Sequence, residues 1–157
     1  MMRRGDILLF SGRAPGSLLI RWATRSAWSH AAWVTAPGQV LESTSRGVDV
    51  RSASRYRGRC AVVRPRWDYA RVLVALERAE GQVGREYDWI GLGSLALIVL
   101  LGRQDGARVR QACDRWWCSE LIARPLADEG LEVRPDPRSV VPADLWPHPA
   151  MELVGRW

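Results

Sequence analysis

Ser29-His30-Ala31-Ala32-Trp33-Val34 and Trp116-Trp117-Cys118-Ser119-Glu120-Leu121 are the stretches on which the reading of this chain turns. The first alternates as a strand does, with His30 on the same face as Ala32 and Val34. The second reads as the opening of a helix, Trp117 to Glu129, with Cys118 in its first turn. A thiol at that place meets free backbone N–H groups and the positive end of the helix dipole, which favour the thiolate and can bind an oxyanion. An imidazole on a strand beside it can take the proton. Cys118 is therefore the candidate nucleophile and His30 the candidate general base and acid. The plainer readings are a cysteine buried as a small hydrophobe and a histidine satisfied within a core.

The neighbours of His30 are small (Ser29, Ala31, Ala32), which leaves room for a thiol or a substrate to approach. A base histidine needs an orienting partner on its other ring nitrogen. Pro37-Gly38 signals a hairpin turn, and the strand beyond it carries Glu42 within Val40-Leu41-Glu42-Ser43. A carboxylate in that apolar run is either a solvent-facing residue of an alternating strand or the orienting partner of His30. The second histidine, His148, stands between Pro147 and Pro149 and reads as a surface-loop residue. Cys60 falls in a strand pattern and Cys113 in a loop-like stretch; neither has the setting of a nucleophile.

Working outward, Gly5 to Phe10 reads as a buried strand, and Gln39–Ser43, Gly47–Arg51 and Cys60–Arg64 as three more. Pro15-Gly16-Ser17 opens a helical pattern through Leu18, Leu19, Trp22 and Ala23, with Ser17 as its cap. Asp68 to Val83 is the clearest helix: Val72, Leu76, Ala79 and Val83 recur at helical spacing behind Asp68. Pro125 is expected to kink the helix that follows Cys118. Leu131–Val133 and Met151–Val154 read as late strands. The apolar run Trp89 to Gly102 is 14 residues long, short of the roughly 20 needed to span a membrane. It reads as a buried helix or loop, or as a wall that meets an acyl chain or a membrane surface. Gln104 to Arg110 reads as an exposed polar loop.

Composition narrows the class. A chain of 157 residues suits one domain, residues 1–157, with 47% apolar and 25% charged residues. The net charge of +6 comes entirely from arginine, since no lysine occurs. The arginines are scattered rather than striped, so no nucleic-acid partner is expected, while contact with a membrane or cell wall stays open. Three cysteines give neither a disulfide framework nor a zinc spacing, and no metal or other cofactor is implied. Asp6 interrupts the first apolar stretch, and Ile7–Phe10 is too short for the apolar region of a signal peptide. The chain thus reads as cytoplasmic, unless it is phage-borne, exported by another route or one piece of a larger protein. Oligomeric state is not legible.

Six motifs in order now carry a resemblance: Gly5-Asp6-Ile7-Leu8-Leu9-Phe10, Ser29-His30-Ala31-Ala32-Trp33-Val34, Leu41-Glu42-Ser43, Gly84-Arg85-Glu86-Tyr87-Asp88, Trp117-Cys118-Ser119-Glu120-Leu121 and Val141-Pro142-Ala143-Asp144-Leu145. Together they resemble the circularly permuted NlpC-type papain-like family of the YiiX-like kind, in which the histidine strand precedes the cysteine helix, the reverse of papain. The resemblance implies an α+β fold in which a small antiparallel, barrel-like sheet packs against helices that include the cysteine helix. It assigns Cys118 as nucleophile, His30 as base and Glu42 as the polar third member, and offers Tyr87, Asp6 and Trp117 as residues lining a substrate site. The implied function is a thiol hydrolase or acyltransferase cleaving an amide of a peptide, such as a cell-wall stem peptide. An acyl-lipid substrate, as in lecithin–retinol-acyltransferase-like proteins, is the alternative. A catalytically silent binding module on the same fold is the third. Pro125, the long apolar run and the nine tryptophans depart from the family pattern.

Overall fold

The computed structural model describes residues 2–87 and 115–157. The apolar run Trp89–Gly102, the polar stretch Gln104–Arg110 and Cys113 lie outside the described residues. The order of elements is β1 (Ile7–Phe10), α1 (Pro15–Ala23), β2 (His30–Ala36), β3 (Gln39–Thr44), β4 (Gly47–Ser52), β5 (Cys60–Pro65), α2 (Tyr69–Glu80), β6 (Glu86–Tyr87), β7 (Arg115–Trp116), α3 (Glu120–Asp128) and β8 (Met151–Arg156). A 3₁₀ turn, Ala53–Tyr56, joins β4 to β5.

Six strands form one antiparallel sheet in the order β4-β3-β2-β1-β5-β8. That order is linear, with β4 and β8 at its two edges, where a barrel would join them. Among the described residues no ladder joins these two edges. All four residues of β1 are buried because β1 is central and both of its faces are covered. Its register sets Phe10 opposite His30 on one side and opposite Cys60 on the other.

The faces differ in depth. On one, Ile7, Leu9, Ala31, Trp33, Leu41 and Val63 pack with α2 and α3 into the main core. On the other, Leu8, Phe10, Ala32, Val34, Val40 and Cys60 are closed by a thin layer of Met2, Ala53, Tyr56 and Trp157. The helical spacing read in α2 buries Val72, Leu76 and Ala79, and Asp68 accepts a hydrogen bond from the Arg71 N–H as its cap. The helix stops at Glu80, before Gly81, so Val83 falls outside it and is exposed.

Two further expectations change. Helix α1 begins at Pro15, whose missing N–H costs nothing at a helix start. Ala14 takes the cap position, and Ser17 lies inside the helix. Residues 131–133 form no strand; Leu131 instead plugs the main core. Pro125 sits within α3 without ending it. A proline leaves the carbonyl four residues earlier without its helical donor. Here that carbonyl is Leu121 O, and it accepts the Trp33 indole Nε1–H at 3.0 Å. The proline thereby releases an acceptor that ties the helix to β2.

Candidate active site

The turn carrying Cys118 is clamped from three sides. Ser43 Oγ on β3 donates to Trp116 O, ahead of the cysteine. Ser119 Oγ, after it, donates to Val140 O at 2.6 Å, and Trp33 holds Leu121 O. The Leu121 N–H closes a helical turn onto Trp117 O at 3.1 Å, so Cys118 stands immediately before the first residues of α3. It lies two positions before the first helical residue, one further out than Ser119, the N-cap.

His30 opens β2 on the thinly covered face, its ring 5.5 Å from that of Phe10. The β2–β3 pairing extends only as far as Trp33 opposite Leu41. Ala31 lies beyond it, and its N–H reaches the Cys118 sulfur instead of β3, as does the N–H of Ser119. At this splay the imidazole lies in a row between two partners. Its Nε2 is 2.8 Å from Glu42 Oε2, and its ring is hydrogen-bonded to the Cys118 thiol. With Glu42 on Nε2, Nδ1 is the nitrogen left for sulfur. The structure therefore brings Cys118, His30 and Glu42 together.

Glu42 is fully buried on β3. Its Oε2 also accepts the Tyr56 hydroxyl at 2.6 Å, while Arg55 and Arg51 stand 3.5 and 3.9 Å from Oε1. Tyr56 packs tilted against Phe10 at 3.9 Å and lies 6.5 Å from His30, so the three rings form a triangular cluster beside the carboxylate. Sequence reading missed Tyr56: its contact crosses a hairpin and a short 3₁₀ turn, and no spacing marks it. It also missed the clamping roles of Trp33, Ser43 and Ser119.

The electrostatics follow from this row. Burial alone would depress the imidazole; the Cys118 sulfur and the Glu42 carboxylate outweigh it and push His30 up to about 10. Burial would likewise raise the Cys118 thiol, but the His30 charge and hydrogen bond, with the Ala31 and Ser119 N–H groups, hold it below the ordinary thiol range. Against burial, His30, Tyr56 and Arg55 keep Glu42 below the usual carboxylate range. Burial and the Glu42 bond raise the Tyr56 phenol, which keeps its proton and donates it. Both shifts favour a thiolate–imidazolium pair backed by a carboxylate. The His30 side chain, in the middle of the row, keeps 20% of its surface exposed.

The other candidates fall elsewhere. Tyr87, on β6, pairs with Trp116 of β7, two residues before Cys118, and is partly exposed. Trp117 is 1% exposed and turns its ring into the interior, with no surface to offer a ligand. Asp6 precedes β1 at the end remote from Phe10 and His30. It is fully buried and closed by Arg64, whose Nε and Nη2 donate to its two oxygens at 2.7 and 2.9 Å. The structure does not bring Asp6 to the site: an arginine of β5 has taken both its oxygens.

No protein-family model matches the chain, and no curated protein does. Among solved structures, the crystal structure of metalloprotein YiiX from Escherichia coli O157:H7 superposes with a TM-score of 0.73 at 18% identity, covering 99% of this chain and 97% of that one. The likeness shows a shared α+β fold along the whole chain. No helix among the described residues is long and apolar enough to cross a membrane.

Proposed function

We propose that this protein is a cysteine-dependent hydrolase or acyltransferase, a single domain of the permuted papain-like kind acting through Cys118, His30 and Glu42. The observation that carries the reading is the row itself: an imidazole hydrogen-bonded to a thiol on one side and to a buried carboxylate on the other. Such a row activates sulfur and then supplies a proton to a leaving group. The Cys118 thiolate attacks a carbonyl carbon, and the bond to the leaving group breaks as His30 protonates it. Water or another nucleophile, deprotonated by His30, then releases the acyl group from sulfur. Glu42 holds the ring and offsets its charge, and Tyr56 and the arginines hold Glu42. The Cys118 backbone N–H is the first candidate to bind the oxyanion, with Tyr87 the second; one such donor is worth about 3–4 kcal/mol.

The bond is an amide of a peptide in the first reading. A lipid ester is the second, favoured by the apolar helix face described below. YiiX is called a metalloprotein. In this chain Cys118, His30 and Glu42 stand in series rather than converging on one point, which does not suit a metal. Among the described residues no group of three or more His, Cys, Asp or Glu side chains gathers elsewhere.

The test uses the Cys113→Ser background, with iodoacetamide across pH and two substrate panels, a muropeptide mixture and acyl thioesters with phospholipids. Labelling of Cys118 at pH 6 faster than an ordinary thiol, with a product that Cys118→Ala abolishes, supports the reading. Ordinary labelling that His30→Ala leaves unchanged would overturn it in favour of a silent binding module.

A further inference from the structure

Helix α1 is unlike the other helices: none of its nine residues is buried. Leu18, Leu19 and Trp22 are 49%, 49% and 70% exposed. They lie at i, i+1 and i+4, within one helix face. Along the sequence, every charge within and flanking this helix is positive. Arg13 precedes the helix, Arg21 and Arg25 flank its end, and no Asp or Glu occurs between Asp6 and Glu42.

A cleft of about 520 Å³ opens where the chain enters and leaves α1. Ser11, Arg13 and Trp28 line it from the two flanks of α1, and Arg59, Arg156 and Trp157 from the ends of the neighbouring strands. No Asp or Glu side chain is among its lining residues. Arg13, Arg59 and Arg156 make no ion pair among the described residues. Ser11 follows Phe10, the partner of His30, and Trp28 stands two residues before His30, so the cleft lies at the candidate site's end of the sheet.

Exposed leucines and a tryptophan surrounded by arginine, next to an arginine-lined hollow, match the chemistry of a bilayer with negative headgroups. We propose that α1 and this cleft form one face that docks on an anionic phospholipid bilayer, α1 setting Leu18, Leu19 and Trp22 among the acyl chains while the cleft holds a headgroup phosphate. The proposal rests on exposure and charge alone and stands apart from the thiol chemistry: a catalytically silent protein would dock in the same way.

The experiment is co-sedimentation of the full chain with vesicles of phosphatidylglycerol and phosphatidylcholine, and with phosphatidylcholine alone. Binding to the anionic vesicles only is expected, weakened about tenfold or more by Leu18→Ser/Leu19→Ser/Trp22→Ser and separately by Arg13→Gln/Arg59→Gln/Arg156→Gln. High salt should release the protein. Circular dichroism checks that both triple variants stay folded; because every replaced side chain is at least partly exposed, folding should hold. Calorimetry with inorganic phosphate distinguishes a soluble anion from a headgroup. Phosphate binding lost in the arginine variant, with vesicle binding absent, would overturn the proposal. So would vesicle binding that the α1 variant leaves intact, or an α1 variant that changes only the oligomeric state, which would assign the face to a second copy of the chain.

Discussion

Asp6 and Glu42 are both wholly buried carboxylates beside arginines, yet their surroundings separate scaffold from site. Asp6 has both oxygens taken by the Arg64 guanidinium and accepts the Arg3 N–H as well. Nothing about it can change without leaving a buried charge unpaired. Glu42 directs one oxygen at an imidazole and a tyrosine and keeps its arginines at a longer reach. Its partner can gain or lose a proton and keeps part of its surface open. The thiols repeat the contrast. Cys60 donates to Trp157 O, and burial pushes it up to about 11; Cys118, equally enclosed, is held low by an imidazole. Burial is common to all four groups, so reactivity is decided by whether the neighbour can carry a titratable positive charge.

The sharpest way to break that contrast is to remove each partner in turn. His30→Ala should slow alkylation of Cys118 at pH 6 by about 100-fold, because a thiol near its ordinary pKa of about 8.5 is almost wholly protonated there. Asp6→Asn should leave that rate unchanged per folded molecule. It should instead cost about 3 kcal/mol in denaturant unfolding, the penalty of leaving a buried partner unpaired. Were Asp6→Asn to slow the thiol as much as His30→Ala does, the separation of scaffold from site would fail.

Glu42→Gln keeps the shape of the row and removes its charge. The imidazolium then faces Arg51 and Arg55 without a carboxylate between them, so the His30 titration should move down from about 10. A fall of at least one unit, or about tenfold in proton affinity, is expected. Ring-proton NMR can follow it directly, since His148 is the sole other histidine. The alkaline limb of any hydrolysis should move down with it, because the proton destined for the leaving group is lost earlier.

The same pair predicts how stability depends on pH. His30 is raised by folding, so its contribution is complete below about 6.5 and is lost as pH rises through about 10. Cys118 is lowered, so its contribution is complete above the ordinary thiol value and is lost as pH falls through its folded one. Above about 8.5 the unfolded chain gives up its thiol proton while folded His30 keeps its own, so the unfolded chain binds one proton fewer and stability should fall with rising pH by up to about 1.4 kcal/mol per pH unit until His30 titrates near 10. Thermal unfolding of the wild type against Cys118→Ser isolates this term; identical curves would mean that the thiol and the imidazole share no ion pair.

Much of this was legible in the sequence because rare residue types sit in informative places. A histidine among small strand residues, a cysteine at a helix start and a glutamate in an apolar strand each stand out, and the structure draws those three into one row. Asp6 stands out by the same logic as Glu42 and goes elsewhere, because its partner, Arg64, is 58 residues away and no local pattern points to it. The strands were visible as apolar runs, but whether their sheet closes depends on the pairing of β4 and β8, which periodicity does not encode. Tyr56, Ser43 and Trp33 escaped for the same reason: their bonds span 14, 73 and 88 residues.

Trp33 and Pro125 provide the smallest and most local test. In the scaffold a buried acceptor needs a fixed donor, and Leu121 O has one only because Pro125 withholds the helix's own and Trp33 provides another. Trp33→Phe keeps an aromatic ring in the core but leaves that carbonyl without a donor, at a cost of about 1–3 kcal/mol. Pro125→Ala restores an N–H that competes for the same oxygen. In the double variant the helical bond can form, so the combined loss in denaturant unfolding should be smaller than that of Trp33→Phe alone. A double variant as unstable as the sum of the single changes would mean that the indole and the proline act independently, and that the tie between β2 and the cysteine helix lies in packing rather than in this hydrogen bond.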